Sequence, residues 1–253
     1  MFCNCSGLSS LNVKNFNTSR VTDFGAMFRG CSGLTSLDVY NFSGASANII
    51  NSMFRECGNM QTVNISNFSV PNATDAGAMF MSSGRLHTIY EPNWNTRNLR
   101  FTQSMFTNCY SLRKLELTGM DTSYVNSMQS MFMGCQSASY IHTGNFRTRN
   151  VTDMRDLFHY CYNLRTLECN NFTATHLGQP QLTNMFTGCN SVSSSYCSDY
   201  STCNVFNNYV NGRPGNVWFS PYGRSALQFD LNGGQQKEAF DMTFDLNGGT
   251  VRN

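Results

Sequence analysis

Between residues 24 and 31, Phe24, Met27, Phe28 and Cys31 fall at i, i+3, i+4 and i+7, a spacing that puts four side chains on one face of a helix. Shortly after, Leu37 and Val39 alternate with Asp38 and Tyr40, the two-residue rhythm of a strand with one buried face. The pattern predicts a short helix followed by a short strand. Asp23 stands where a carboxylate can accept from the free amides of a first helical turn, and Asp75 and Asp153 repeat it. Gly30, Gly134 and Gly188 suit a left-handed residue ending that helix, with Asn4 and Asn108 as substitutes.

The same pattern returns along the chain. Met-Phe occurs at Met1, Met27, Met53, Met79, Met105 and Met131, and Leu157-Phe158 continues the series at steps of 26 residues. Met185-Phe186 follows after 28, which places a two-residue insertion in the stretch "THLGQPQL". Cysteine stands three residues after the Phe in every coil except at Ser83, and apolar columns run through Leu34, Met60 and Leu86 and through Leu37, Val63 and Ile89. An Asn-aromatic pair recurs at Asn15, Asn41, Asn67, Asn93, Asn145 and Asn171, and it is expected to form a buried ladder. One strand and one short helix cannot bury this much apolar surface alone, but stacked coils cover one another. The expected fold is an α/β repeat solenoid: a right-handed stack of about eight strand–short helix coils with a parallel β-sheet face, about 40 Å long at the spacing of paired strands.

These columns, read off as C-S-x-L-x-x-L-x-V-x-N-F-x-T-x-x-V-T-D-M-x-x-M-F-x-G, resemble the BspA-like leucine-rich repeats, the 26-residue repeat of bacterial surface proteins. The resemblance implies an extracellular, surface-attached interaction protein used in adhesion, with no catalytic residues to carry over. The period holds over 1–206, although Ser195 stands where a Leu is expected. Residues 207–228 are turn-rich and are expected to form a β-rich cap and linker. In 229–253 the segment "FDLNGG" occurs twice, at Phe229 and Phe244, and Asn-Gly is a hairpin signal. This tail resembles the opening strand of the Listeria–Bacteroides β-repeat, so the chain is expected to be part of a longer modular protein whose export signal lies elsewhere.

Composition narrows the function. A net charge of +2 gives no field for nucleic acid, and only 13% of residues are charged. No apolar run approaches the roughly 20 residues of a membrane span. Met27 with Cys31 would be soft ligands for a metal, but the pair recurs coil after coil and is exchanged for Leu157 or Ser83 without other change. Packing is therefore the expected role of this column, with no metal and no cofactor. The eleven cysteines are expected to be mostly free and buried, because stacked coils point their Cβ atoms in parallel. Cys197 and Cys203, near the expected cap, are the disulfide candidates, and Cys3 is an outward thiol.

His87, His142, His159 and His176 form no metal-spaced pair, and there is no nucleophile or phosphate-loop motif. No catalytic residue is assigned. Alternation along the strands puts Tyr90, Lys114, Glu116, Tyr140, His142 and Glu168 on the outer face, a Tyr-rich surface of mixed charge suited to protein or glycan contact. Between residues 97 and 165, eight basic residues face four acidic ones, a second candidate surface for an acidic partner. The expected function is a monomeric, non-enzymatic surface or secreted module that binds a host protein, matrix or glycan. A structural spacer is the first alternative. A polysaccharide-processing enzyme is the second, and it would need two carboxylates flanking a cleft.

Overall fold

The computed structural model describes residues 1–90, 96–117, 119–143, 146–197, 199–209 and 219–221. The second "FDLNGG" segment and its first copy, Asn93 and Asn145 lie outside these residues. Seven strands follow the period: β1 (Ser36–Asp38), β2 (Thr62–Asn64), β3 (Thr88–Tyr90), β4 (Lys114–Glu116), β5 (Tyr140–His142), β6 (Thr166–Cys169) and β7 (Ser194–Cys197). All pairing is parallel and register follows the repeat, with Leu37 opposite Val63 and Val63 opposite Ile89. The chain is thus a parallel-strand solenoid with few helices. The strands form three groups, β1-β2-β3, β4-β5 and β6-β7, the last joined by β8 (Ser220–Pro221).

A second line of parallel bridges joins Asp23, Ile49, Asp75, Phe101, Ser127 and Asp153 on another side of the stack. The predicted short helix is absent here, and each coil instead makes consecutive tight turns. Within 24–31, the amides of Met27, Arg29 and Cys31 donate to the carbonyls of Phe24, Ala26 and Phe28. The amides of Phe24, Ala26, Phe28 and Gly30 donate to Ile49, Asn51, Met53 and Arg55 of the next coil at 2.8–2.9 Å. A helix would direct the amides beyond its first turn to carbonyls four residues back in the same coil. Left-handed residues at two positions per coil, Ala26 (φ 52°) and Gly30 (φ 69°) in this one, turn half of them outward instead. Gly30, Gly134, Gly188, Asn4 and Asn108 are left-handed as expected, but inside turns rather than at a helix end. Asp23 accepts from Gly25 N–H at 2.7 Å, an Asx turn in place of a cap.

Three side-chain columns tie the coils together. The rings of Phe2, Phe28, Phe54, Phe80, Phe106, Phe132, Phe158 and Phe186 stack in one file, with centroids 5.3–5.9 Å apart. Beside them the thiols of Cys31, Cys57, Cys109, Cys135, Cys161 and Cys189 donate to the Phe carbonyl of the preceding coil, as Cys57 Sγ does to Phe28 O at 3.1 Å. Ser83 makes the same bond to Phe54 O at 2.8 Å, which explains the exchange of Cys for Ser in this column. In the third column, buried Thr hydroxyls bridge consecutive coils: Thr122 Oγ1 donates to Arg147 O at 3.1 Å and accepts from Arg147 N–H at 2.7 Å. Thr18, Thr96 and Thr148 repeat the arrangement. Where Gly44 takes this place the next coil moves in, and a Cβ there would lie 2.4 Å from Ser69 O.

The Asn-aromatic column is corrected in part. Asn15, Asn41, Asn67 and Asn171 are exposed, while Phe42, Phe68 and Phe172 beside them are buried. Asn41 occupies the outer corner of a turn closed by Phe42 N–H on Val39 O, so its amide reaches Lys14 O from the surface at 3.0 Å. The expectation of a buried Asn ladder therefore falls for these four residues. The buried-side ladder role belongs to the Thr column instead.

The insertion near residue 178 forms a 3-10 turn, Gln179–Leu182. After β7, helix α1 (Tyr200–Tyr209) packs Phe206 edge-on against Phe186 at 5.7 Å, and Phe219 covers both.

All eleven cysteines are free thiols; Cys3 and Cys5 are exposed and the rest are buried. Burial pushes Cys57, Cys109 and Cys189 up to about 12. It also raises Cys197, whose thiol is in hydrogen-bond contact with Cys203. The thiolate is the reactive form, so a neutral disulfide reagent should label Cys3 and Cys5 within minutes and the others only on unfolding. Rapid native labelling of Cys57 or Cys109 would contradict the buried column. A total two short of eleven after unfolding would reveal a Cys197–Cys203 disulfide.

Candidate binding face

The strands alternate as the sequence predicts. Leu115, Ile141 and Leu167 enter the core, while Lys114, Tyr140 and His142 stand on the outer face. Parallel register places Lys114 beside Tyr140 and Glu116 beside His142. Lys114 Nζ pairs with Glu116 Oε1 and lies 5.7 Å from the centroid of the Tyr140 ring. Tyr140 Oη meets His142 Nδ1 at 2.6 Å and donates to Glu168 Oε2 at 3.4 Å, and His142 Nδ1 lies 3.5 Å from the same carboxylate oxygen. Five of the six residues expected on this face thus form one connected polar network. The Glu116 carboxylate raises the Lys114 ammonium. Burial raises the Tyr140 hydroxyl, and the Glu168 and Glu116 charges add to it.

Tyr90, the sixth, is 55% exposed and stands apart from the network across an opening in the sheet. β3 and β4 do not pair. The amides of Gln61, His87, Ser139 and Arg165 donate to Thr35, Gln61, Arg113 and Ser139 of the preceding coil, but the corresponding bond from Arg113 to His87 is missing among the described residues. On the turn side the two coils remain joined, with Phe80 N–H on Met105 O and Ser82 N–H on Thr107 O at 2.8 Å. Between them lies a cleft of about 680 Å³ lined, among the described residues, by His87, Thr88, Ile89, Tyr90, Arg113, Lys114 and Glu116. Ile89, half-buried, supplies its apolar wall. The cleft was missed in the sequence, because nothing in Thr88–Tyr90 or Lys114–Glu116 departs from the strand pattern.

β5 and β6 also lack strand pairing, but the Arg165 amide and the Tyr140–Glu168 contact span them. The basic residues between 97 and 165 do not gather into one patch. Arg113, Lys114 and Arg165 border the sheet face, Arg100 lies over the Tyr124 ring at 5.7 Å, and Arg155 pairs with Asp153 at 2.6 Å. Among the described residues, no group of three or more His, Cys, Asp or Glu is placed to hold a metal ion. No helix among them is long and apolar enough to cross a membrane.

A family model described as "Mycoplasma protein of unknown function, DUF285" matches residues 1–92 and again 86–200. Among solved structures, the chain is similar to a T. pallidum leucine-rich repeat protein, with 12% identity and a TM-score of 0.31 over 72% of this chain and 81% of that one. It is also similar to a leucine-rich cell surface protein of Faecalibacterium prausnitzii A2-165, with 18% identity and a TM-score of 0.32 over 87% of this chain and 75% of that one. No curated protein matches it.

Proposed function

The chain belongs to the family described as Mycoplasma protein of unknown function, DUF285, and from that premise we propose a non-enzymatic interaction module that binds a host or matrix protein through the face from β3 to β6. The observation that carries this reading is the network joining Glu116, Lys114, Tyr140, His142 and Glu168 beside an open cleft. Fixed side chains on short strands lose little freedom on binding, so contacts summed over several coils convert efficiently into affinity. Tyr90 and Tyr140 supply flat amphipathic surface of the kind that dominates protein interfaces. In this reading the chain is a monomer at the cell surface or secreted. About eight right-handed coils over 1–206 carry the face, a cap and linker covers 207–228, and a β-repeat begins at 229–253.

An array of matrix proteins and glycans, probed with the chain and with the Tyr140→Ala, Lys114→Ala double variant, tests the proposal. Binding to a protein target should fall at least about tenfold in the variant, the loss of roughly 1.4 kcal/mol. Binding to glycans alone would change the partner class. No binding above background would favour a spacer, and binding indifferent to the double variant would remove this face from consideration.

A further inference from the structure

We propose that the cleft between β3 and β4 takes a short stretch of extended, acidic polypeptide, which adds to the free edge of β3 and places a carboxylate on Arg113. The inference rests on the reading of this face as a binding surface and names the chemistry of its partner.

Parallel strands direct alternate amides and carbonyls to each side. On β3 the Tyr90 carbonyl already accepts from Ile65 N–H on the β2 side, and the amides of His87 and Thr88 donate to Gln61 O there. The opposite edge, with Ile89 N–H and His87 C=O, would face β4, and no strand among the described residues pairs with it. Across the cleft Arg113 N–H is likewise without its ladder partner. An unpaired edge is a template for another strand, which supplies main-chain hydrogen bonds in series. The junctions from β1 to β3 are closed by pairing, and the unpaired β5–β6 junction is still spanned by Arg165 N–H on Ser139 O and by Tyr140 on Glu168.

Charge selects the kind of strand. Lys114 is paired with Glu116, whereas Arg113 has no ion pair among the described residues. The guanidinium can hold a carboxylate through two parallel N–H bonds. His87 borders the same side, its Nδ1 3.0 Å from Thr88 Oγ1. Ile89 gives an apolar contact for the peptide's inward side chain and Tyr90 a flat edge for its outward one. A strand of about three to five residues spans roughly 10–16 Å, which matches the three-residue strands lining the cleft.

The test is selection of a random decapeptide display library on the intact chain, followed by titration of the enriched sequence as a synthetic peptide. Enriched peptides should carry Asp or Glu and lack a central proline. Affinity should fall at least about tenfold for Arg113→Glu, with Arg113→Gln intermediate, and also on N-methylation of one central peptide amide, which removes a main-chain donor without altering charge. No enrichment, enrichment of neutral or basic peptides, or indifference to both changes would overturn the proposal. Failure here alongside array binding that depends on Tyr140 and Lys114 rejects the acidic strand and leaves the binding face standing; failure of both rejects the face itself.

Discussion

Phe106→Ala is expected to lower the free energy of unfolding by about 3–5 kcal/mol, the range for truncating a fully buried phenylalanine. Phe106 is 0% exposed and stacks on Phe80 at 5.4 Å and on Phe132 at 5.8 Å, with rings within 7° of parallel. Removing it leaves a void between two rings that are themselves fixed by their next neighbours, so the site cannot collapse. Phe2→Ala should cost about half as much, because Phe2 is only half-buried and stacks on the file from one side, against Phe28. Because stacked repeats hold together by nearest-neighbour contacts, the Phe106 lesion can also split unfolding into two transitions. Urea unfolding followed by circular dichroism measures both effects. A loss below about 1 kcal/mol would show that the aromatic file does not hold the coils together.

Thr122→Val is expected to cost about 2 kcal/mol with almost no change in volume, since an unmet buried donor or acceptor costs roughly 1–3 kcal/mol. The Thr122 hydroxyl, on a residue 0% exposed, serves both the amide and the carbonyl of Arg147. Valine would fill the space and orphan both groups. Thr122→Ser, which keeps the hydroxyl, should retain most of the stability. If Val and Ser cost the same by urea unfolding, packing and not the hydrogen-bond bridge is the role of this column.

The period, the strands and the buried apolar columns were legible because stacked coils repeat the same demand at each step. The turns were not. Four inward side chains at i, i+3, i+4 and i+7 fit a helix, but three overlapping turns of four residues place Phe24, Phe28 and Cys31 inward equally well. A signal was present in the residue before each Met-Phe: Ala26, Ser52, Ala78, Ser104 and Ser130 are small and left-handed, followed by Asp156 and Asn184. The Thr column was visible as a motif, but its role depends on which carbonyl the next coil brings within reach, for example Arg147 O at Thr122. The Asn column misled because a polar residue beside a buried aromatic suits an outer turn corner as well as an interior ladder. Of the candidate face, alternation gave the outer side of the strands for the six side chains, which is their placement in the fold. The opening between Tyr90 and Lys114 arises from a missing pairing between coils, which no strand pattern records.

Amide hydrogen exchange resolved by residue tests the opening between β3 and β4 directly in the free chain. The Ser139 and Arg165 amides, each bonded to the preceding coil, should be protected, while those of Ile89 and Arg113 should exchange at least about ten times faster. Protection of Ile89 and Arg113 equal to that of Ser139 would mean a continuous sheet with no cleft and no free edge for a partner strand.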